Sequence, residues 1–193
     1  MTTSFEIQTG QPRTEAAHDP EDESLCDAIQ GAFPLRTEHM FMVWNHVYIP
    51  LGYKYDVSLI VDDALDLVDA MLSEATGLRT IHWPSNTFAS SWTVEWRGAL
   101  VTIQATWSCV LGGTESLLNA SGPVVLPVDE FVAEWKRPFE LVARALREAG
   151  YSEHQIPRLA VLESVASRVR KHGRLYVLQQ DQLPRSSVHE GRR

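Results

Sequence analysis

Four aspartates, Asp62, Asp63, Asp66 and Asp69, come closest to a chemical site by residue type and spacing. Residues three and four apart on a helix share one face, so Asp62 and Asp66 would present two carboxylates side by side. Such a pair could ligate a hard cation, attract a basic protein partner, or simply face water. The chain has no second acidic metal-binding motif, so we predict no metal site and no cofactor. The four aspartates remain candidate partner-binding residues.

A second candidate face lies in a stretch rich in β-branched and aromatic residues. Residues 38–49 have this composition, which predicts one strand. In a regular strand Trp44, His46 and Tyr48 project from the same side. Amphipathic aromatic side chains are enriched where proteins bind ligands or one another, so we predict a ligand or partner face here. The alternative is that these side chains pack beneath a helix.

The chain carries none of the motifs that mark common catalytic centres. It has no HExxH or CxxC spacing, no GxSxG nucleophile elbow and no glycine-rich phosphate loop after a strand. We therefore predict no catalytic residues and favour a binding protein over an enzyme.

Charge and composition restrict the partners and the compartment. The formal net charge is −8 over 193 residues, which argues against nucleic-acid binding because that requires a basic surface. No stretch approaches the ~18 apolar residues of a membrane helix, and the first residues lack a secretory signal pattern. The two cysteines, Cys26 and Cys109, do not suggest a structural disulfide, so we expect a reducing cytoplasm.

A tryptophan-rich hairpin is the clearest structural pattern in the chain. We predict a two-residue turn at 97–98, because glycine adopts positive φ without steric cost. This register pairs Val94 with Val101. It also pairs Trp92 with Ile103, and it places all four side chains on one apolar face.

The remaining patterns predict the helices and the ends of the domain. Apolar spacing predicts a helix over 61–75, one over 129–149 that Pro138 kinks or divides, and one over 157–171. Strands that run together before helices are typical of an α+β fold. We therefore predict a single domain over 34–178, with a mainly antiparallel sheet and about three helices packed on it. Residues 1–33 read as an acidic, disordered tail that ends in a short helical turn around residues 25–29, and residues 179–193 as a flexible tail.

Part of the chain resembles the bacterial immunity proteins that pair with polymorphic toxins. The resemblance lies in the hairpin WTVEWRGALVTIQATWS and in the strand and helix VVLPVDEFVAEWKRPFELVARAL. Such proteins are small, cytoplasmic, often acidic α+β domains that occlude the active site of a toxin. The resemblance implies a non-catalytic module that binds another protein. The alternative is a small enzyme or accessory protein of a biosynthetic pathway that binds a small molecule between sheet and helices.

Overall fold

The fold is α+β, as predicted. A computed structural model describes residues 4–15 and 18–170, which form two antiparallel sheets and five α-helices. The strands are β1 (Phe5–Gln8), β2 (Met40–Trp44), β3 (Val47–Leu51), β4 (Thr76–Pro84), β5 (Phe88–Arg97), β6 (Leu100–Val110) and β7 (Val124–Pro127). The helices are α1 (Leu25–Ala32), α2 (Ser58–Ser73), α3 (Glu115–Ala120), α4 (Val128–Ala149) and α5 (Pro157–Arg168). A π-helical turn, Tyr53–Val57, leads into α2.

The four-stranded sheet has the order β4-β5-β6-β7 and contains the predicted hairpin. The predicted register is wrong by two residues, because Val94 pairs with Ile103 and not with Val101. The turn lies at Gly98 and Ala99, and Gly98 has a φ of +56°. Positive φ at the first turn residue is typical of a type II′ turn, whereas the prediction put glycine second. A shift of two residues leaves every side chain on its predicted face.

The three-stranded sheet, of order β1-β2-β3, replaces the single strand predicted over 38–49. The chain turns back at Asn45 and His46, whose φ angles are +44° and +70°. Two consecutive positive φ angles are typical of a type I′ hairpin turn, and asparagine tolerates them well. The Asn45 amide also donates to the carbonyl of Ser121, 3.1 Å away, which fixes the turn against the α3–β7 loop.

Residues predicted to form a disordered tail contribute to the core. β1 pairs with β2, and Phe5 is only 1% exposed. α1 buries Leu25, Ala28 and Ile29, and the side chain of Ser24 caps its first turn. The prediction failed because the acidic residues lie on the solvent side, while each apolar stretch is too short to dominate the local composition.

α4 is one helix, so Pro138 does not divide it, which was one of the two effects that the sequence left open. A proline inside a helix removes a hydrogen bond and costs about 3 kcal/mol. Pro138 is buried on the same face as Trp135, Phe139 and Val142, and burial of such aromatic and aliphatic side chains contributes about 1.5–3 kcal/mol each. This packing outweighs the lost bond. The helix ends at Gly150, where φ is +106°.

A buried lysine and one ion pair attach α5 to α4, and a second ion pair attaches the loop between the two helices. The ammonium of Lys136 donates to the carbonyls of Ala166 and Val169 at 2.6 and 2.7 Å, which caps the last turn of α5. The guanidinium of Arg147 contacts the carboxylates of Glu153 and Glu163. α5 ends at Arg168, within the predicted helix, and the residues from 171 onward, including the predicted flexible tail, lie outside the described residues.

A buried carboxylate ties the start of α2 to the β4–β5 loop. Asp56 is 2% exposed and accepts hydrogen bonds from the amide of Gly52 at 2.7 Å and the hydroxyl of Thr87 at 2.6 Å. The hydroxyl of Ser85 donates a third hydrogen bond to the same carboxylate. Three donors offset much of the cost of burying the charge.

The buried face of the hairpin gives a direct test of the sheet. Val101→Asp would place a carboxylate at a site that is 0% exposed, so we expect the free energy of unfolding in urea to fall by more than about 3 kcal/mol. Gln104→Asp adds the same group to the exposed face of the same strand and should cost no more than about 1 kcal/mol. Equal losses in the two variants would contradict the assignment of the faces.

The role of β1 can be tested in the same way. Phe5→Ala removes a buried aromatic ring and should lower the free energy of unfolding by about 3–5 kcal/mol. Gln8→Ala changes an exposed residue of the same strand and should stay within about 0.5 kcal/mol of the parent. A Phe5→Ala protein as stable as the Gln8→Ala control would mean that the amino-terminal segment is dispensable, as a tail would be.

Candidate functional site

Three of the four α2 aspartates contact arginines of α5. Arg158 bridges the carboxylates of Asp62 and Asp66, at 2.9 and 2.7 Å. Arg168 pairs with Asp69 and also donates to the hydroxyl of Ser73. The basic groups that these aspartates contact therefore belong to the same chain.

Asp63 points away from those arginines, toward the sheet. Its carboxylate accepts a hydrogen bond from the indole of Trp83 at 3.1 Å. Desolvation raises the pKa of the Asp63 carboxyl and the charges of Asp62 and Asp66 raise it further, against the lowering effect of the indole bond. The four aspartates therefore do not act as one acidic face. Three of them form ion pairs with α5, which we call the ion-pair seam, and Asp63 forms a hydrogen bond with β4.

The predicted face of Trp44, His46 and Tyr48 does not exist as one surface, because the strand turns back at His46. Trp44 is fully buried among other aromatic side chains. Tyr48 is 59% exposed, and His46 is exposed beside Ser4. The alternation expected of a regular strand ends at the turn, so no shared ligand face forms.

The segment of residues 19–27 carries several exposed carboxylates that form no ion pair with the described residues. Asp19, Glu21, Glu23 and Asp27 are exposed, and none of them forms an ion pair with a described residue. We call these residues the acidic segment. The sequence placed them in a disordered tail, although Ser24 followed by Asp27 is a helix-capping pattern that could have located the start of α1.

The acidic segment is held in place by the loop between α4 and α5. The side-chain amide of Gln155 donates to the carbonyls of Asp19 and Asp22, at 2.7 and 3.1 Å. The hydroxyl of Tyr151 donates to the carboxylate of Asp22. Burial and that bond raise the pKa of Tyr151 to about 12. The Tyr151 hydroxyl therefore stays protonated, and the bond is kept, at physiological pH.

Groups typical of metal sites or membrane anchors were not found in the part of the chain that the structure describes. No three His, Cys, Asp or Glu side chains in it are close enough to hold a metal ion together. None of its helices combines the length and the apolar character needed to cross a bilayer. Cys26 and Cys109 are both free thiols and both half-buried.

Comparison with known proteins gives no relative: no family model, no curated protein and no solved structure matches the chain.

The ion-pair seam between α2 and α5 predicts that removing its carboxylates destabilises the protein. Replacing both Asp66 and Asp69 by Asn leaves Arg158 and Arg168 with fewer partners, so we expect the free energy of unfolding to fall by about 0.5–1 kcal/mol. The pairs are partly exposed, so the loss should shrink as salt rises.

The control is the double variant Glu21→Gln, Glu23→Gln, which also removes two negative charges but breaks no ion pair among the described residues. Its free energy of unfolding should stay within about 0.5 kcal/mol of the parent. An Asp66, Asp69 variant more stable than the parent would mean that repulsion along α2 outweighs the arginine pairs.

Proposed function

We propose that this protein is a non-catalytic module that binds a basic protein partner through its acidic segment. The observation that carries the proposal is the contrast between two sets of carboxylates. On α2 the charges are matched by Arg158 and Arg168, whereas Asp19, Glu21 and Glu23 have no cation among the described residues. Exposed charge of one sign speeds the encounter with a partner of opposite charge.

The anchoring of the acidic segment also favours binding. Gln155 and Tyr151 hold the backbone and the Asp22 side chain before any partner arrives. The amide of Glu21 donates to the Asp19 carboxylate at 2.9 Å, which orders the turn further. A segment ordered in advance loses less conformational entropy when it binds.

We propose further that the partner is a bacterial toxin, and that the module neutralises it in the cytoplasm by covering its active site. The sequence resemblance to immunity proteins, the net charge of −8 and the α+β fold support this assignment. Under this proposal, the gene beside the one for this chain encodes a toxin with a basic carboxyl-terminal domain. Co-expression of the chain should restore the growth of cells that produce that domain.

The acidic segment predicts which charges control association. In the variant Glu21→Gln, Glu23→Gln, the rate constant for association with the toxin domain should fall roughly 3- to 10-fold at low salt, because electrostatic steering is weakened. Stopped-flow fluorescence measures this rate. The difference should disappear near ~1 M salt, where the Debye length is about 3 Å.

The matched control is the variant Asp66→Asn, Asp69→Asn, which has the same net charge but changes carboxylates already paired with arginines. Its association rate should stay within about twofold of the parent. Equal slowing in both variants would show that only the total charge matters. No slowing in either variant, or a neighbouring gene that encodes no toxin, would contradict the proposal.

A further inference from the structure

A groove on the side of α4 has features of a small-molecule site. It has a volume of about 430 Å³ and lies between α4 and residues 9–14, which follow β1. This volume is within the range of sites that hold metabolite-sized ligands. The groove is not between sheet and helices, where the alternative function would have placed a pocket.

The α4 wall of the groove carries a small apolar patch among charged side chains. Leu141 and Ala145 form this patch, Arg137 lies one turn before Leu141, and Arg144 lies between the two apolar residues in sequence. The two arginines are seven residues apart on the same helix face, about 10 Å along the axis. A ligand that lies along the helix would therefore contact the aliphatic side chain of Leu141 and, at one end, the guanidinium of Arg137.

The charged side chain of the groove that forms no ion pair is a cation. Glu140 contacts the ammonium of Lys136 at 3.4 Å, and Glu148 contacts Arg144 at 3.9 Å. Arg137 is exposed and forms no hydrogen bond or ion pair with any described residue. A free guanidinium offers donors in a planar fork that fits a carboxylate or a phosphate. Such a site is unusual on a protein whose net charge is −8.

The opposite wall of the groove is fixed by its own hydrogen bonds. The amide of Arg13 donates to the hydroxyl of Thr37 at 2.6 Å, and the amide of Glu15 donates to the carbonyl of Ala32 at 2.8 Å. Thr14 lies between these two anchored residues. Thr14 lines the groove, and its amide has no hydrogen bond to the described residues. The amide and the hydroxyl of Thr14 therefore add two donors.

We propose that this groove binds a small organic anion. Arg137 would hold the carboxylate or phosphate of the ligand through two parallel hydrogen bonds, with Thr14 as a further donor. The uncharged body of the ligand would cover Leu141 and Ala145. This site does not involve the acidic segment, so the proposal is independent of the proposed protein partner.

The test titrates the full chain with four probes, hexanoate, hexyl phosphate, hexanol and inorganic phosphate, and follows backbone amides by NMR. We expect saturable shifts at Thr14, Arg137 and Leu141 with hexanoate, hexyl phosphate or both, and the difference between these two identifies the oxyanion. Hexanol and inorganic phosphate should bind at least about tenfold more weakly, because each lacks one half of the recognised structure. Hexanol or inorganic phosphate binding as tightly as its organic anion would overturn the proposal.

The variant Arg137→Gln should weaken binding of the organic anion at least about tenfold, since the charged bidentate contact is lost. Its melting temperature should match that of the parent, because Arg137 has no partner among the residues that the structure describes. The matched control is Arg97→Gln, which removes an arginine that is 82% exposed on the four-stranded sheet and should leave binding unchanged. Binding that is unaffected by Arg137→Gln, or that is lost equally in both variants, would overturn the proposal, as would the absence of saturable shifts with both organic anions.

Discussion

The fold depends on the aromatic contacts of Phe5, because this one side chain joins three layers. Its ring meets Trp44 of its own sheet at 6.4 Å, Trp92 of the four-stranded sheet at 6.1 Å, and Phe131 of α4 at 5.0 Å. Trp44 and Trp92 also contact each other, at 5.1 Å. The two sheets share no strand, so side-chain packing of this kind must hold them together. β1 therefore connects the two sheets and α4 through the side chain of Phe5.

Internal ion pairs decide which acidic residues remain available to other molecules. α2 and α5 lie side by side, and the α5 arginines neutralise the aspartates that would otherwise repel one another. The same loop that starts α5 holds residues 19–22 through Gln155, yet supplies no cation to their carboxylates. α2 has the denser run of aspartates, yet its carboxylates are less available to other molecules than those of the acidic segment. Composition alone does not reveal this difference.

Local patterns predicted the candidate sites only in part. The carboxylates at positions 62 and 66 do share a helix face, as their spacing predicted, but their partners are 92 to 96 residues away in sequence. The groove on α4 depends on a segment more than 120 residues upstream. The loss of the Trp44, His46 and Tyr48 face has a local cause. Asn45 and His46 adopt positive φ, and a pattern of aromatic residues does not show such a turn.

The sequence by itself determined the α+β class, the apolar face of the hairpin and the extents of α2 and α5 to within a few residues. These features follow from side-chain periodicity, which is a local property of the chain. Only the tertiary structure decided the register of the hairpin, the continuity of α4 through Pro138, and the incorporation of β1 and α1. The register follows from the place of Gly98 in its turn, whereas α4, β1 and α1 depend on contacts between distant segments. For those three elements, burial of apolar side chains against several other elements outweighs the local preference for a helix break or for disorder.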